Sequence, residues 1–224
     1  MKTDNLFRGS EVAMPAKEAF IKIESCLMSE TAPSKTLSAY SEQPWFGAHP
    51  TSLLLAQKHT KQQPDHHPEG SVWNHTMLVV DEAAKRKQHS ICPRAFMWAA
   101  LLHDIGKPST TKIRKGRITS YAHDLEGAEL ALAFLSDLTD ETKLAEKTMW
   151  LVRFHMQLLF VTRDMPFQDI PGMRAHTYIP EVALLSYCDR LGRIGADSAA
   201  ERRNLIAFLE KCQERTDLPW LKET

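Results

Sequence analysis

The sequence predicts an all-α protein, an orthogonal helical bundle, on three observations. Apolar residues recur every three or four positions in the longer segments, which is the period of a helix buried on one face. No segment shows the strict alternation of apolar and polar residues that is typical of a half-buried strand. The apolar positions keep no seven-residue repeat, so we expect the helices to cross one another rather than to form a coiled coil.

The composition indicates a globular chain without a strong overall charge. The 224 residues are 43% hydrophobic and 25% charged, with 28 basic and 28 acidic side chains. Such a chain can bury a sizeable core, so we expect a single domain over residues 1–224. The formal net charge of zero gives no indication of nucleic acid or of an anionic membrane as a partner. Any anionic substrate must therefore be attracted by a local site.

Cysteine usage and hydropathy predict a cytoplasmic protein with no membrane partner. The four cysteines are far apart, form no C-x-x-C pair and are expected to be reduced and mostly buried. The N-terminus has no apolar secretory region. The longest apolar runs fall short of the ~18 residues that a membrane-spanning helix needs.

Prolines and glycines divide the first part of the chain into an arm, loops and helices. Residues 1–14 are polar and without periodicity, so we expect a loosely held arm. The interrupted stretches 30–50 and 60–70 are predicted to be loops, with Trp45 and Phe46 anchored on the core. Apolar residues at helical spacing predict helices over 15–28, 52–58 and 72–87.

The second part is predicted to alternate helices with two irregular stretches. Residues 107–121 are interpreted as a basic connection, and residues 160–176 as a loop that borders the site and selects substrates. The last helix, 198–215, is expected to be a structural cover. Helices are predicted over 94–104, from His123 onward, and over 142–158, 179–194 and 198–215.

One buried helix is predicted to end on two metal-ligand side chains. The apolar run Phe96–Leu102 is followed directly by His103 and Asp104, which fall on the same helical face as Phe96. Burying an imidazole beside a carboxylate is costly unless something compensates them, and a divalent metal compensates both. The alternative from the residues alone is that His103 caps the helix and Asp104 pairs with Lys107 on the surface.

Four more potential ligands face inward from other helices. A lone histidine on an apolar face is more often a hydrogen-bonded core residue, but a set of four imidazoles and two carboxylates without a thiolate suits Fe, Mn, Co, Ni or Zn. Six ligands exceed what one catalytic ion uses, and two ions that share Asp104 account for the number. The predicted metal ligands are His75, His103, Asp104, His123, His155 and Asp189.

The order of these residues resembles the H…HD…H…H…D pattern of the HD-domain superfamily of metal-dependent phosphohydrolases, and residues 103–106 match its HDIG variant. Residues 67–76, HPEGSVWNHT, resemble a segment of the HD domain attached to bacterial CCA-adding tRNA nucleotidyltransferases, with Ser71 in place of the usual aspartate. Two further segments resemble the same HD domain: Gly116-Arg117 followed by residues 121–124, and residues 151–155. The likeness covers about residues 60–195.

The resemblance implies a helical fold that hydrolyses phosphomonoesters or phosphodiesters, with nucleotides as common substrates. A chain of 224 residues leaves no room for the nucleotidyltransferase head, and its paired-aspartate motif is not found. CCA addition is therefore not implied, although RNA ends stay among the candidate substrates. The native metal, the phosphoester and the oligomeric state are left open.

Cations beside the predicted metals are expected to offset charge on phosphoryl oxygens. Asp104 and Lys107 are assigned to catalysis, and Lys107 also to substrate binding, because it directly follows the ligand turn and must lie near the metals. Each arginine near a ligand could instead pair with a surface acid. The arginines assigned to substrate binding are Arg117, Arg153, Arg190 and Arg193.

Two other functions remain open at this point. Some HD-fold proteins with a full ligand set are di-iron oxygenases, and the same six ligands would serve that chemistry. The other alternative is a sensor that binds a nucleotide or a metal without turnover. The presence of every ligand position argues against a sensor, since binding alone does not require the bridging carboxylate.

Overall fold

Helices make up most of the computed structural model, which describes residues 14–221. This confirms the predicted all-α class. The α-helices are α1 (Ala16–Ser29), α2 (Pro33–Tyr40), α3 (Ser52–His59), α4 (Val72–Ala84), α5 (Pro93–Leu102), α6 (Lys107–Thr110), α7 (His123–Leu138), α8 (Thr142–Phe154), α9 (Gln157–Thr162), α10 (Ile170–His176), α11 (Ile179–Leu191) and α12 (Ser198–Lys211).

Helix α5 lies at the centre of the bundle. Its residues from Ala95 to Leu102 are all 0% exposed, because the apolar run leaves no polar face to turn toward solvent. Helices α1, α4, α7, α8 and α11 all pack against it. Phe20 of α1 stacks on Trp98 with ring centroids 5.4 Å apart. The His103-Asp104 turn, at the end of α5, is therefore carried into the interior.

The turn after α5 is pressed against the start of α7. A Cβ added at Gly106 would lie 2.3 Å from the carbonyl oxygen of His123 and 2.6 Å from the backbone nitrogen of Gly127. Real Cβ atoms do not approach backbone so closely, so only glycine fits at this position. This close approach brings His123 next to the His103-Asp104 pair.

The prediction that the chain has no strand, and that residues 107–121 are a plain connection, was wrong. After the single turn of α6, strands β1 (Thr111–Arg114) and β2 (Arg117–Ser120) form an antiparallel hairpin. Lys115 and Gly116 join them with φ values of 50° and 76°, the left-handed pair of a type I′ turn. The strands lack apolar alternation because the hairpin is mostly exposed.

Two stretches predicted as irregular also contain helix. Helix α2 and a 3₁₀ helix (Pro44–Gly47) lie within 30–50, and α10 lies within 160–176. Pro33, Pro44 and Pro171 occupy the first turn of these helices, where the missing N–H costs nothing. These prolines therefore start helices instead of interrupting them.

The core joins elements from both ends of the described chain. Buried hydrophobic residues from Ala19 to Leu221 belong to one cluster, and Phe46 in it is 0% exposed. Met14 packs against this cluster, whereas the rest of the predicted arm lies outside the described residues. All four cysteines are unpaired, and three of them are buried. Over residues 14–221, no helix has the length and apolar character to cross a bilayer.

Replacing Gly106 with alanine is expected to lower the free energy of unfolding by about 2–3 kcal/mol. The new Cβ meets backbone atoms of the α7 N-terminus, which cannot move away as a flexible side chain does. Equilibrium denaturation in urea measures the change. Gly47→Ala is the matched control, since a Cβ at Gly47 meets nothing within 4 Å. Equal stabilities of the two variants would contradict the close approach.

Candidate metal centre

The structure brings all six predicted ligands together from five segments. Each is at most 7% exposed, and His75 lies deepest, at 0%. The chain turns sharply before His123, because Ala122, between the hairpin and α7, adopts a left-handed φ of 59°. His75 lies in α4, His103 and Asp104 follow α5, His123 begins α7, His155 follows α8, and Asp189 lies in α11.

Asp104 is at the centre of this set. Its Oδ2 atom lies 3.3 Å from His103 Nε2 and 4.0 Å from His75 Nε2. Its Oδ1 atom lies 3.4 Å from His123 Nε2 and 3.8 Å from His155 Nε2. Each carboxylate oxygen thus faces a different pair of imidazoles.

The donor atoms accordingly form two groups of three. In each group, the nitrogen and oxygen atoms lie within 4.8 Å of one another, close enough to hold one metal ion. His75 Nε2 is 2.9 Å from Asp189 Oδ1 in the first group, and His123 Nε2 is 3.2 Å from His155 Nε2 in the second. The first group is His75, His103 and Asp189, and the second is Asp104, His123 and His155.

Hydrogen bonds at Nδ1 orient three of the imidazoles. In each ring Nδ1 contacts the backbone carbonyl oxygen three residues earlier. Because a carbonyl only accepts, Nδ1 carries the proton and the Nε2 lone pair of the neutral ring faces Asp104. The partners are Ala100 for His103 (2.9 Å), Ser120 for His123 (2.7 Å) and Val152 for His155 (2.6 Å).

The fourth imidazole, His75, is oriented by a carboxylate that we did not predict. Glu69 Oε1 lies 2.9 Å from His75 Nδ1 and 2.9 Å from His67 Nδ1. Burial raises the pKa of Glu69, but the contact with His75, a backbone hydrogen bond and the hydrogen bond with His67 outweigh it and lower that pKa to about 2. Glu69 is therefore ionised at neutral pH and holds His75 as an outer-sphere carboxylate holds a metal-binding histidine. The available signal was its place in the HPEG segment.

The residues present fit a divalent metal. His103 Nε2 is buried and has no hydrogen-bond partner, although a buried nitrogen lone pair is normally satisfied. A metal ion bound by the converging nitrogen and oxygen atoms would satisfy it. The absence of a thiolate favours a catalytic nitrogen-oxygen site over a structural zinc site.

The protonation states of Asp104, His123 and His155 agree with this assignment. Burial raises the pKa of Asp104, but the neighbouring Lys107 ammonium group opposes it most strongly, and that pKa lies well below its usual range. Burial lowers the pKa of His123 and of His155 to about 4. At neutral pH the carboxylate is therefore charged and these two imidazoles are neutral, which are the forms that bind metals.

A cavity of about 400 Å³ opens onto the ligands. Asp104, His123, His155 and Asp189 line its inner side. Lys107 lies on the wall, with its Nζ 2.7 Å from Asp104 Oδ2 and 2.6 Å from Gln62 Oε1. The cavity has room for a small ligand whose charged end reaches the ligand set.

Two of the four arginines assigned to substrate binding line the cavity. Arg190 and Arg193 belong to its wall, and so does Arg163, which the sequence interpretation missed. Arg117 lies on the exposed hairpin, outside the cavity lining. Arg153 is also outside it, because its Nη1 donates to Asp124 Oδ2 at 2.9 Å. The structure therefore does not bring Arg117 and Arg153 to the cavity.

The stretch predicted as a substrate-selecting loop borders the cavity at its beginning. Arg163, which follows α9, lines the cavity. Met156 and Leu159, which precede the predicted stretch, also line it. Phe167 further along is 56% exposed, and Met173 is buried in the core. Only the first part of 160–176 thus contributes to the site.

Comparison with known proteins identifies the family. The HD domain matches residues 72–194, a range that contains all six predicted ligands. The chain is 42% identical over 142 residues to the Multifunctional CCA protein of Pseudomonas fluorescens, covering 60% of this chain and 33% of that protein. It is 31% identical over 130 residues to the CC-adding tRNA nucleotidyltransferase of Thermus thermophilus, covering 57% and 29%.

A third relative is the Multifunctional CCA protein of Actinobacillus pleuropneumoniae, which is 31% identical over 94 residues, covering 42% of this chain and 22% of that protein. The chain thus matches a third or less of the length of these relatives. The HD match alone extends over more than half of the chain and contains the whole ligand set. The chain belongs to the HD domain family.

Proposed function

We propose that this protein is a metal-dependent phosphohydrolase that cleaves a phosphomonoester or phosphodiester of a nucleotide at a dinuclear site. The observation that carries the proposal is the position of Asp104, whose two oxygens face two separate pairs of imidazoles. One carboxylate shared in this way is the arrangement that lets two ions act on the same phosphoryl group.

The six ligands would hold two divalent ions, with Fe, Mn, Ni, Co and Zn as the candidates. When bound, such ions acidify a water molecule and withdraw charge from the phosphoryl oxygens. Lys107, whose ammonium group reaches Asp104 Oδ2 and lines the same cavity, supplies further positive charge beside the transferring group. Arg190, in the last turn of α11, and Arg193, just after that helix, bind the anionic substrate from the cavity wall.

Nucleotides are the substrate class that we favour. The cavity volume of about 400 Å³ suits a ligand of this size. Gln62, Gln63 and His66 on its wall offer side-chain donors and acceptors for a ribose or a base. The name of the Thermus thermophilus relative refers to tRNA, which keeps an RNA end among the candidates. We also propose that the reaction takes place in the cytoplasm, since all four thiols are free.

The metal-ligand set alone is equally compatible with a di-iron oxygenase. Lys107, Arg190 and Arg193 favour hydrolysis, since these cations match an anionic substrate and contribute nothing to oxidation of a neutral one. The same cations are compatible with a nucleotide sensor, which differs only in the absence of turnover.

The proposal is tested by a metal-supplemented activity screen. Full-length protein with added Mn, Ni, Co, Fe or Zn is incubated with nucleoside monophosphates, 2′,3′-cyclic nucleotides and an aryl phosphate, with and without oxygen. We expect release of phosphate or opening of the cyclic ester at the same rate in both atmospheres. Activity that requires oxygen would identify an oxygenase, and binding without turnover under every condition would identify a sensor.

Replacing Asp104 with alanine is expected to abolish hydrolysis while the protein stays folded. Loss of the shared carboxylate weakens both metal sites, so added metal no longer raises the melting temperature as it does for the wild type. Calorimetry with and without metal, together with metal analysis, measures this. Asp137→Ala is the control, since Asp137 is a surface residue that pairs with His49. Near wild-type turnover in Asp104→Ala would remove Asp104 from the site.

Replacing Lys107 with alanine is expected to reduce kcat/KM roughly ten- to a thousand-fold without loss of metal. This range corresponds to about 1.4–4 kcal/mol, which one charged contact to the transferring group supplies in a desolvated site. Lys112→Ala, on the exposed hairpin, is the matched control. If kcat/KM stays unchanged at full metal occupancy, Lys107 has no part in the reaction.

A further inference from the structure

Three arginines line one side of the cavity. Arg163 follows α9, Arg190 lies in the last turn of α11 and Arg193 follows that helix, and all three belong to the same lining. Helices α9 and α11 pack against each other, which brings Arg163 close to the other two. Arg163 and Arg193 both lie near enough to Arg190 for their positive charges to interact with it. Three like charges thus meet at one place in a chain of zero net charge.

These guanidinium groups are poorly compensated by the protein. Among residues 14–221, Arg163 and Arg190 form no ion pair and no side-chain hydrogen bond. Arg193 reaches Asp189 Oδ1 only at 3.5 Å, and its buried Nε has no partner. Three other half-buried arginines are paired with carboxylates, namely Arg86 with Glu82, Arg94 with Glu24 and Glu141, and Arg153 with Asp124. Leaving clustered charges unpaired is costly unless an anion completes the site.

The arginines also exceed what a single phosphoryl group at the ligands requires. The phosphoryl group that reacts is matched by the metal ligands and by Lys107, which comes from α6 and contacts Asp104. The arginines come from other helices and lie on the Asp189 side of the cavity. Guanidinium groups bind phosphate oxygens in pairs of parallel hydrogen bonds, so three of them suit a further phosphate.

We propose that Arg163, Arg190 and Arg193 form a subsite for a second phosphate group of the substrate, distinct from the phosphate that is hydrolysed. This inference rests on the proposed hydrolysis of a nucleotide and narrows its substrate class. The preferred substrate carries two phosphates, either as a nucleoside bisphosphate or as a phosphorylated end of an oligonucleotide. Both substrates share the feature that the arginines would bind, a second phosphate at a fixed distance from the phosphate that reacts.

The test compares three probes: adenosine 5′-monophosphate, adenosine 3′,5′-bisphosphate and a 5′-phosphorylated adenosine dinucleotide. Dissociation constants are measured by calorimetry on the full chain as purified, and KM and kcat/KM are measured wherever turnover occurs. We expect at least one of the two larger probes to be preferred over the monophosphate about tenfold or more, the effect of one charge-assisted contact. Preference for the bisphosphate indicates a terminal phosphate in the subsite, and preference for the dinucleotide indicates an internucleotide phosphate.

Arginine variants decide whether the preference comes from the subsite. In Arg163→Gln/Arg190→Gln the ratio between the preferred probe and the monophosphate is expected to fall to near one. Arg163→Gln alone is expected to reduce the ratio at least threefold. Because the Arg163 side chain is exposed, this substitution is not expected to disturb folding, and a reduced ratio is then due to the loss of the guanidinium group. Arg203→Gln, an exposed arginine of α12 outside the cavity, is the matched control and should keep the full ratio.

The outcomes separate the subsite from the reaction. A preference in binding that depends on Arg163 and Arg190, without hydrolysis of any probe, would support the subsite and overturn the phosphohydrolase. Hydrolysis of the monophosphate with no preference for a second phosphate would overturn the subsite and leave the phosphohydrolase. A preference that survives in the double variant would also overturn the subsite.

Discussion

The burial of one carboxylate among four imidazoles is the constraint on which the structure depends. Asp104 is 1% exposed, and no position so deep in a helical core is favourable for a charge without partners. The uniformly apolar α5 carries the carboxylate to the centre, and the close approach at Gly106 brings α7 with His123 to it. Helices α4 and α8 then supply one imidazole from each remaining side. The packing of the helices therefore determines the geometry of the ligands.

The orientation of the rings follows from local backbone structure more than from long-range contacts. In three of the histidines, Nδ1 donates a hydrogen bond to the backbone carbonyl three residues earlier. These carbonyls lie at the end of a helix or a strand, where carbonyl oxygens remain available as acceptors. His75 lies in the first turn of α4, where carbonyls are committed to the helix, and it uses Glu69 instead. Because Glu69 also holds His67, which lines the cavity, the geometry of a ligand and of the cavity wall are coupled through one carboxylate.

The helical period explains both what could be predicted from the sequence and what could not. His103 and Asp104 follow the apolar stripe of α5, so their inward direction could be derived from spacing alone. Arg153 was assigned because it is two residues from His155, but two residues along a helix are about 200° apart, and its side chain pairs with Asp124. Arg163 was missed because its approach to Arg190 depends on how α9 packs on α11, which no local pattern encodes. The hairpin was missed because an exposed strand pair needs no apolar alternation.

The balance between ligands and cations bears on what kind of reaction the site serves. A set of four imidazoles and two carboxylates is compatible with several metals and with more than one chemistry. The guanidinium groups on the cavity wall are more selective, because the half-buried charge of Arg190, which has no ion-pair partner among residues 14–221, is costly unless a ligand neutralises it. An uncharged substrate would leave that cost in place throughout the reaction, whereas a phosphate group removes it on binding. The cations at the cavity therefore indicate an anionic substrate, whereas the metal ligands alone do not indicate the charge of the substrate.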